Sequence, residues 1–172
     1  MVTAAELLAL AAFLEGRHAQ AFPSFGSERT GAPVVSFCRI DEREIRVREP
    51  IAAPDALIVQ DPTLLHQVDV FGGLVPDGTV LLNSSRTAEE LGVGGIDARI
   101  VTAPATELAR THLGRPLPGP ALLGAFAALT GAVSLQSVLE AVRDRFGGAA
   151  GEGNAAAAEA AHAFVLEAVA HA

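Results

Sequence analysis

The chain has no tryptophan, no tyrosine and no lysine, and only one cysteine and one methionine in 172 residues. Each shortage excludes something. Aromatic platforms must rest on eight phenylalanines. The single thiol, Cys38, makes no internal disulfide and holds neither an iron–sulfur cluster nor a structural zinc ion alone. A reducing cytoplasm fits. All 12 basic residues are arginine, against 20 acidic ones, for a net charge of -8. Phosphate neutralisation needs a basic face, so no nucleic-acid partner is expected. No uninterrupted run of 18 or more strongly apolar residues is present, so no membrane span is expected. No charged leader precedes an apolar core and a small-residue cleavage site, so no signal peptide is expected.

Chemical motifs are equally sparse. GxGxxG is absent, and the glycine pairs at 72–73 and 94–95 read as turns. GxSxG is absent. So is the Gly-Asp-Gly segment with a downstream asparagine that a thiamine diphosphate site needs. His18, His66, His112, His162 and His171 form no pair with metal-ligand spacing and a third ligand nearby. Cys38 lies in a strand pattern with no histidine beside it and reads as a structural thiol. The chain carries no complete redox or carbon-chemistry apparatus.

What is present is a globular pattern. Half the residues are apolar and 19% are charged, and the length suits one domain with a proper core. Thr3 and Glu6 have capping-box spacing, Leu7, Leu8, Leu10, Ala11 and Leu14 follow at helical spacing, and Gly16 is placed to end the helix. Val34 to Ile40 suits a strand. Asp41-Glu42 could turn the chain into a second strand through Ile45 and Val47, a β-hairpin. Residues 56–60, 79–83 and 98–102 read as buried parallel strands. Between them, Thr87 and Glu90 mark a short helix closed by Gly92. Pro104 starts a helix that Gly114 ends. Helices are expected over 121–130 and 135–146, the latter capped by Ser134. Strands alternating with helices indicate an α/β, three-layer domain with a mostly parallel sheet, a β-hairpin insertion and a helical C-terminus. The expected boundaries are a domain over 1–146, a flexible glycine-rich link over 147–153 and an alanine-rich helix over 154–172.

Three places could carry chemistry. Residues 21–33 place Ser24, Ser27, Glu28, Arg29 and Thr30 among Pro23, Gly26, Gly31 and Pro33. Such a loop can present backbone N–H groups and a guanidinium to an anion or a neighbouring subunit. Equally, it can be a structural turn with Glu28 and Arg29 solvated. Asp61 and Asn83 each follow a parallel strand, where ligands collect in open α/β sheets, and where a helix cap also belongs.

The segment Ala21 to Pro33, AFPSFGSERTGAP, closely resembles FPSFGPERRGAP, a signature of the gamma subunits of 2-oxoacid:ferredoxin oxidoreductases. Further matches run along the chain: VTAAELLA (2–9), FLEG (13–16), IVQDPTLL (58–65), GRPLP (114–118), LLGAFAALTG (122–131) and RDRF (143–146). The alanine–proline ending is more similar to the pyruvate and 2-oxoisovalerate types. The resemblance implies a subunit of an enzyme that oxidatively decarboxylates a 2-oxoacid, transfers the acyl group to coenzyme A and passes two electrons to ferredoxin. It implies that thiamine diphosphate, magnesium and iron–sulfur clusters reside in alpha, beta and delta-type partner subunits, with coenzyme A as substrate. Ser24, Gly26, Glu28, Arg29, Gly31, Asp61 and Asn83 are then expected at the coenzyme A site or a subunit contact, with Arg29 as the fork donor to phosphate and no metal or catalytic residue in this chain. The chain departs from the pattern at Ser27, where proline is usual, at Thr30, where arginine is usual, and at Gly119, where asparagine is common. Family members also begin with a short strand and a GxGGQG loop directly before VTAAELL. The expectation is therefore a start placed too far downstream and a first strand missing ahead of Met1. The alternatives are a stand-alone α/β module binding a nucleotide or acyl carrier, and a purely structural docking subunit.

Overall fold

A computed structural model of the chain describes residues 2–24 and 33–172. Helix α1 runs over Val2–Leu14, and Gly16 takes the left-handed conformation (φ 81°) that the helix end requires. Strand β1 (His18–Pro23) follows and pairs antiparallel with β2 (Ser36–Asp41). Strands β3 (Ala56–Val59), β4 (Thr79–Asn83) and β5 (Arg99–Ala103) form a second, parallel sheet in that order. Helices α2 (Ala105–Leu113), α3 (Gly119–Thr130), α4 (Leu135–Phe146) and α5 (Gly148–Ala170) complete the chain. The α/β class and the helical C-terminus follow the sequence.

The antiparallel hairpin exists, but its strands differ from those expected. β2 turns back on 18–23, and no strand forms over 45–47. A two-residue hairpin at Asp41-Glu42 would need positive φ at the first turn residue or at both, and neither has it. Asp41 instead accepts a hydrogen bond from the Arg43 N–H at 3.1 Å, an Asx turn that leads the chain away. Strand β1 is weakly signalled because it is built of His, Ala and Gln, poor strand formers that end at a proline. The alternation is nevertheless present. Ala19 on β1, with Cys38 and Ile40 on β2, faces the helical core, while Gln20 and Phe22 pair with Arg39 and Phe37 on the opposite face.

One face of the parallel sheet packs on the helices. Leu81 and Ala103 join Leu7, Leu122, Leu123, Val138, Val142 and Val165 in the main core. The other face gathers Val59, Val80 and Leu82 against Leu65, Phe71, Leu74, Leu91 and Val93. That outer layer is a 3-10 turn (Pro62–His66) and successive tight turns instead of helices. Thr87 and Glu90 do make a reciprocal capping box, with Glu90 accepting from the Thr87 N–H at 2.7 Å and Thr87 Oγ1 from the Glu90 N–H at 3.2 Å. The helix expected there stops after one turn.

The link expected over 147–153 is helical from Gly148 onward. The chain reverses at Gly147 and Gly148, whose φ values of 62° and 53° only glycine adopts freely. Glycine disfavours helix by about 1 kcal/mol per residue, but here small size admits close packing. A Cβ on Gly153 would sit 3.1 Å from the His112 carbonyl oxygen on α2. Arg143 on α4 also pairs with Glu152 at 2.9 Å. The alanine-rich helix is docked, with Asn154, Ala155, Ala157, Ala158, Ala161 and Val165 buried. Its nearest neighbour is α3, where Gly124 lies directly under the Ala158 backbone. Tertiary packing overrides local propensity along this stretch.

Candidate functional site

The carboxyl ends of β3 and β4 place Asp61 and Asn83 on one edge of the parallel sheet. The turn before β4 is set by Pro76-Asp77-Gly78, with Asp77 at φ 61° and the Gly78 N–H donating to the Val75 carbonyl at 3.0 Å. The apolar run that follows ends at Asn83, which is buried. Its Nδ2 donates to the Gln60 carbonyl at 2.9 Å and to Thr106 Oγ1 at 2.8 Å. Its Oδ1 accepts from the Thr106 N–H at 3.2 Å. Asn83 thus ties the end of β3 to the first turn of α2, whose own N-cap, Pro104, supplies no side-chain cap. Asp61 caps the 3-10 turn, accepting from the Thr63 N–H at 3.0 Å and from Thr63 Oγ1 at 2.7 Å. Of the two roles open to each residue, the cap is the one the hydrogen bonds show.

An open cavity of about 1650 Å³ lies between the ribbon and the parallel sheet. Its walls are the edge of β2, the edge of β3 and the irregular stretch between them, and Leu8, Leu123 and Phe126 form part of its floor. Asp61 and Gln60 stand on its wall, as do Pro33, the last residue of the signature segment, and Ser36. Ser36 Oγ is buried with no hydrogen-bond partner among the described residues. Ser24 lies where β1 ends, its N–H donating to the Val35 carbonyl at 2.8 Å, and Asn83 stands behind β3; neither lines the cavity. Gly26, Glu28, Arg29 and Gly31 lie outside the described residues.

The sequence reading passed over two features. On the ribbon's outer face the Phe22 and Phe37 rings lie 5.2 Å apart, and the Arg39 guanidinium sits 5.5 Å over Phe22. The period-two alternation of residues 19–22 was the signal available for that face. Thr106, the partner of Asn83, had none. Burial pushes the Cys38 thiol up to about 12, so it is protonated and unreactive at neutral pH. Among the described residues no three His, Cys, Asp or Glu side chains converge as a metal ion would need, and no helix is long and apolar enough to cross a membrane.

A parallel sheet with capping polar residues at its carboxyl edge, beside an open cavity, is the frame on which small α/β binding domains are built. Comparison with known proteins narrows this. The pyruvate ferredoxin/flavodoxin oxidoreductase family matches residues 1–164. The pyruvate/ketoisovalerate oxidoreductases common subunit gamma of Thermococcus kodakarensis is 48% identical over 162 residues, 93% of this chain and 88% of that protein. The pyruvate synthase subunit PorC of Methanocaldococcus jannaschii is 48% identical over 166 residues, 96% of this chain and 90% of that one. The crystal structure of the pyruvate oxidoreductase subunit PORC from Thermotoga maritima superposes with a TM-score of 0.80 at 31% identity, covering 94% of this chain and 88% of that one. The chain belongs to the pyruvate ferredoxin/flavodoxin oxidoreductase family, among its gamma subunits.

Proposed function

We propose that this chain is the gamma subunit of a multi-subunit pyruvate:ferredoxin oxidoreductase of the cytoplasm. The complex converts pyruvate, coenzyme A and oxidised ferredoxin to acetyl-CoA, carbon dioxide and reduced ferredoxin. This subunit contributes to assembly and coenzyme A access. The reading rests chiefly on identity of 48% to two gamma-type relatives over nearly the whole chain. The chain's own residues do not fit an iron–sulfur cluster: clusters take several thiolates, and Cys38 is the single cysteine, held as a thiol. Thiamine diphosphate, magnesium and the clusters belong to alpha, beta and delta-type partners in this reading. Those partners also pass electrons to ferredoxin.

Coenzyme A is a large anion, and the cavity beside Pro33 and Asp61 is open and about 1650 Å³ in volume. Gly26, Glu28, Arg29 and Gly31 of the signature segment, with Asp61 on the cavity wall, form the proposed contact, and Ser24 and Asn83 flank it at the end of β1 and behind β3. Arg29 is the bidentate donor to the pyrophosphate. Arg29→Ala should raise the apparent KM for coenzyme A in the assembled enzyme while leaving that for pyruvate unchanged. An unchanged coenzyme A constant with normal assembly contradicts the assignment. One observation favours a purely docking role as the second reading. Both Nδ2 donors of Asn83 are already committed within the fold, as is the cap at Asp61. In that case Arg29→Ala weakens assembly and leaves the coenzyme A constant alone.

A further inference from the structure

Among the described elements, the helices pack on one face of the β1–β2 ribbon. Of the helices, α1 is the one that packs substantially against it, on the side of Ala19, Cys38 and Ile40. The opposite side carries Phe22 directly across from Phe37 and Gln20 across from Arg39. The rings form a tilted pair at 5.2 Å, and Arg39 lies over Phe22 at 5.5 Å. The guanidinium donates once, to Gln20 Oε1 at 3.3 Å, and pairs with no carboxylate among the described residues. A guanidinium has five donors. Held over a ring, it has already lost part of the side-chain freedom that a partner would otherwise have to remove.

We propose that Phe22, Phe37 and Arg39 form a docking surface for another subunit of the oxidoreductase complex, which presents a carboxylate to Arg39 and an apolar side chain to the ring pair. The proposal rests on the gamma-subunit reading. Charge complementarity selects the occupant. Aromatic rings with a stacked arginine have the composition of an interface anchor, and the free donors of Arg39 match the fork of a carboxylate. A second copy of this chain fits poorly. A two-fold contact through this face would join two copies of the same arginine-bearing patch, whose Phe22, Phe37 and Arg39 offer no carboxylate to either copy, between two chains that each carry a net charge of -8.

The test is binding of this chain to the remaining subunits, co-expressed and purified without it, followed by titration. Arg39→Glu should weaken binding at least tenfold, Phe37→Ser comparably, and Arg39→Lys less, because lysine keeps the charge but loses the fork. Arg110→Glu, exposed on α2, serves as the charge control and should stay within twofold of wild type. Arg39→Glu should lower the melting temperature of the isolated chain by only a few degrees, since it loses the Phe22 and Gln20 contacts but no core packing, and the chain should remain folded under the binding conditions, which separates docking from folding. Binding within twofold of wild type for both Arg39→Glu and Phe37→Ser overturns the surface alone. Equal losses for Arg39→Glu and Arg110→Glu overturn it too, by reducing the effect to overall charge. A self-association that Arg39→Glu abolishes overturns the choice of occupant. No binding by the wild-type chain overturns the subunit reading, and this surface with it.

Discussion

Replacing Gly124 with alanine should destabilise the chain, although alanine is the better helix former. In isolation the exchange favours α3 by about 1 kcal/mol. In place, the new Cβ would lie 2.6 Å from the carbonyl carbon of Ala158 and 2.8 Å from its Cα, and would collide with the Ala158 carbonyl oxygen. Carbon–carbon contact needs about 3.5–4.0 Å, so α3 and α5 must part by about 1 Å. The obstruction is helix backbone, so no side chain can swing away. Overpacking of this kind costs about 1–3 kcal/mol, and a gap of that width also forfeits dispersion along the rest of the interface. A net loss of about 2 kcal/mol follows, or roughly 4–8 °C in melting temperature for a chain of this size. Gly95→Ala is the control: that position has ordinary φ and nothing within 4 Å of the new Cβ. It should fall within about 0.5 kcal/mol of wild type. Thermal unfolding followed by circular dichroism reads both. A Gly124→Ala chain as stable as wild type would refute the close approach of α3 and α5.

Asn83→Ala should cost at least about 2 kcal/mol in urea unfolding, because it strips partners from both the Gln60 carbonyl and the Thr106 N–H; a loss below about 0.5 kcal/mol would show that Asn83 does not hold the sheet edge to α2. Cys38 should resist a thiol reagent at pH 8 in the native chain and react at once in denaturant, since its thiol is pushed up to about 12 by burial. The same shift fixes a sign. The folded chain holds that proton more tightly than the unfolded one, so stability should decline as pH rises above the ordinary thiol range of about 8.5, and Cys38→Ala should remove that dependence. A Cys38→Ala chain that keeps the alkaline decline would place its cause elsewhere.

The elements legible in the sequence were those with strong local marks. The parallel strands announced themselves as apolar runs bounded by turns, and Ser134, Gly16 and Gly114 sit at the helix ends where their chemistry put them. The helix over 148–153 was hidden because Gly153 serves a tertiary need, close contact with His112 and Leu113, that no local window contains. The true hairpin was hidden because its first strand depends on α1 to cover Ala19, and residues 45–47 carried the better strand composition without a partner to pair with. At the sheet edge the positions of Asp61 and Asn83 were legible while their roles were not. For Asn83 the choice between capping a neighbour and facing a ligand is decided by Thr106, 23 residues away; for Asp61 it is decided by Thr63, two residues on. The Phe22, Phe37 and Arg39 face needed the strand register, which no turn motif fixes across so long a connection between β1 and β2.

The most direct test of the central claim is 2-oxoacid- and coenzyme A-dependent reduction of a low-potential electron acceptor by the complex expressed from this gene and its genomic neighbours, with and without this chain. The account predicts that pyruvate and coenzyme A together drive reduction only when this chain is present. Full activity in its absence, with pyruvate and coenzyme A still required, would contradict it.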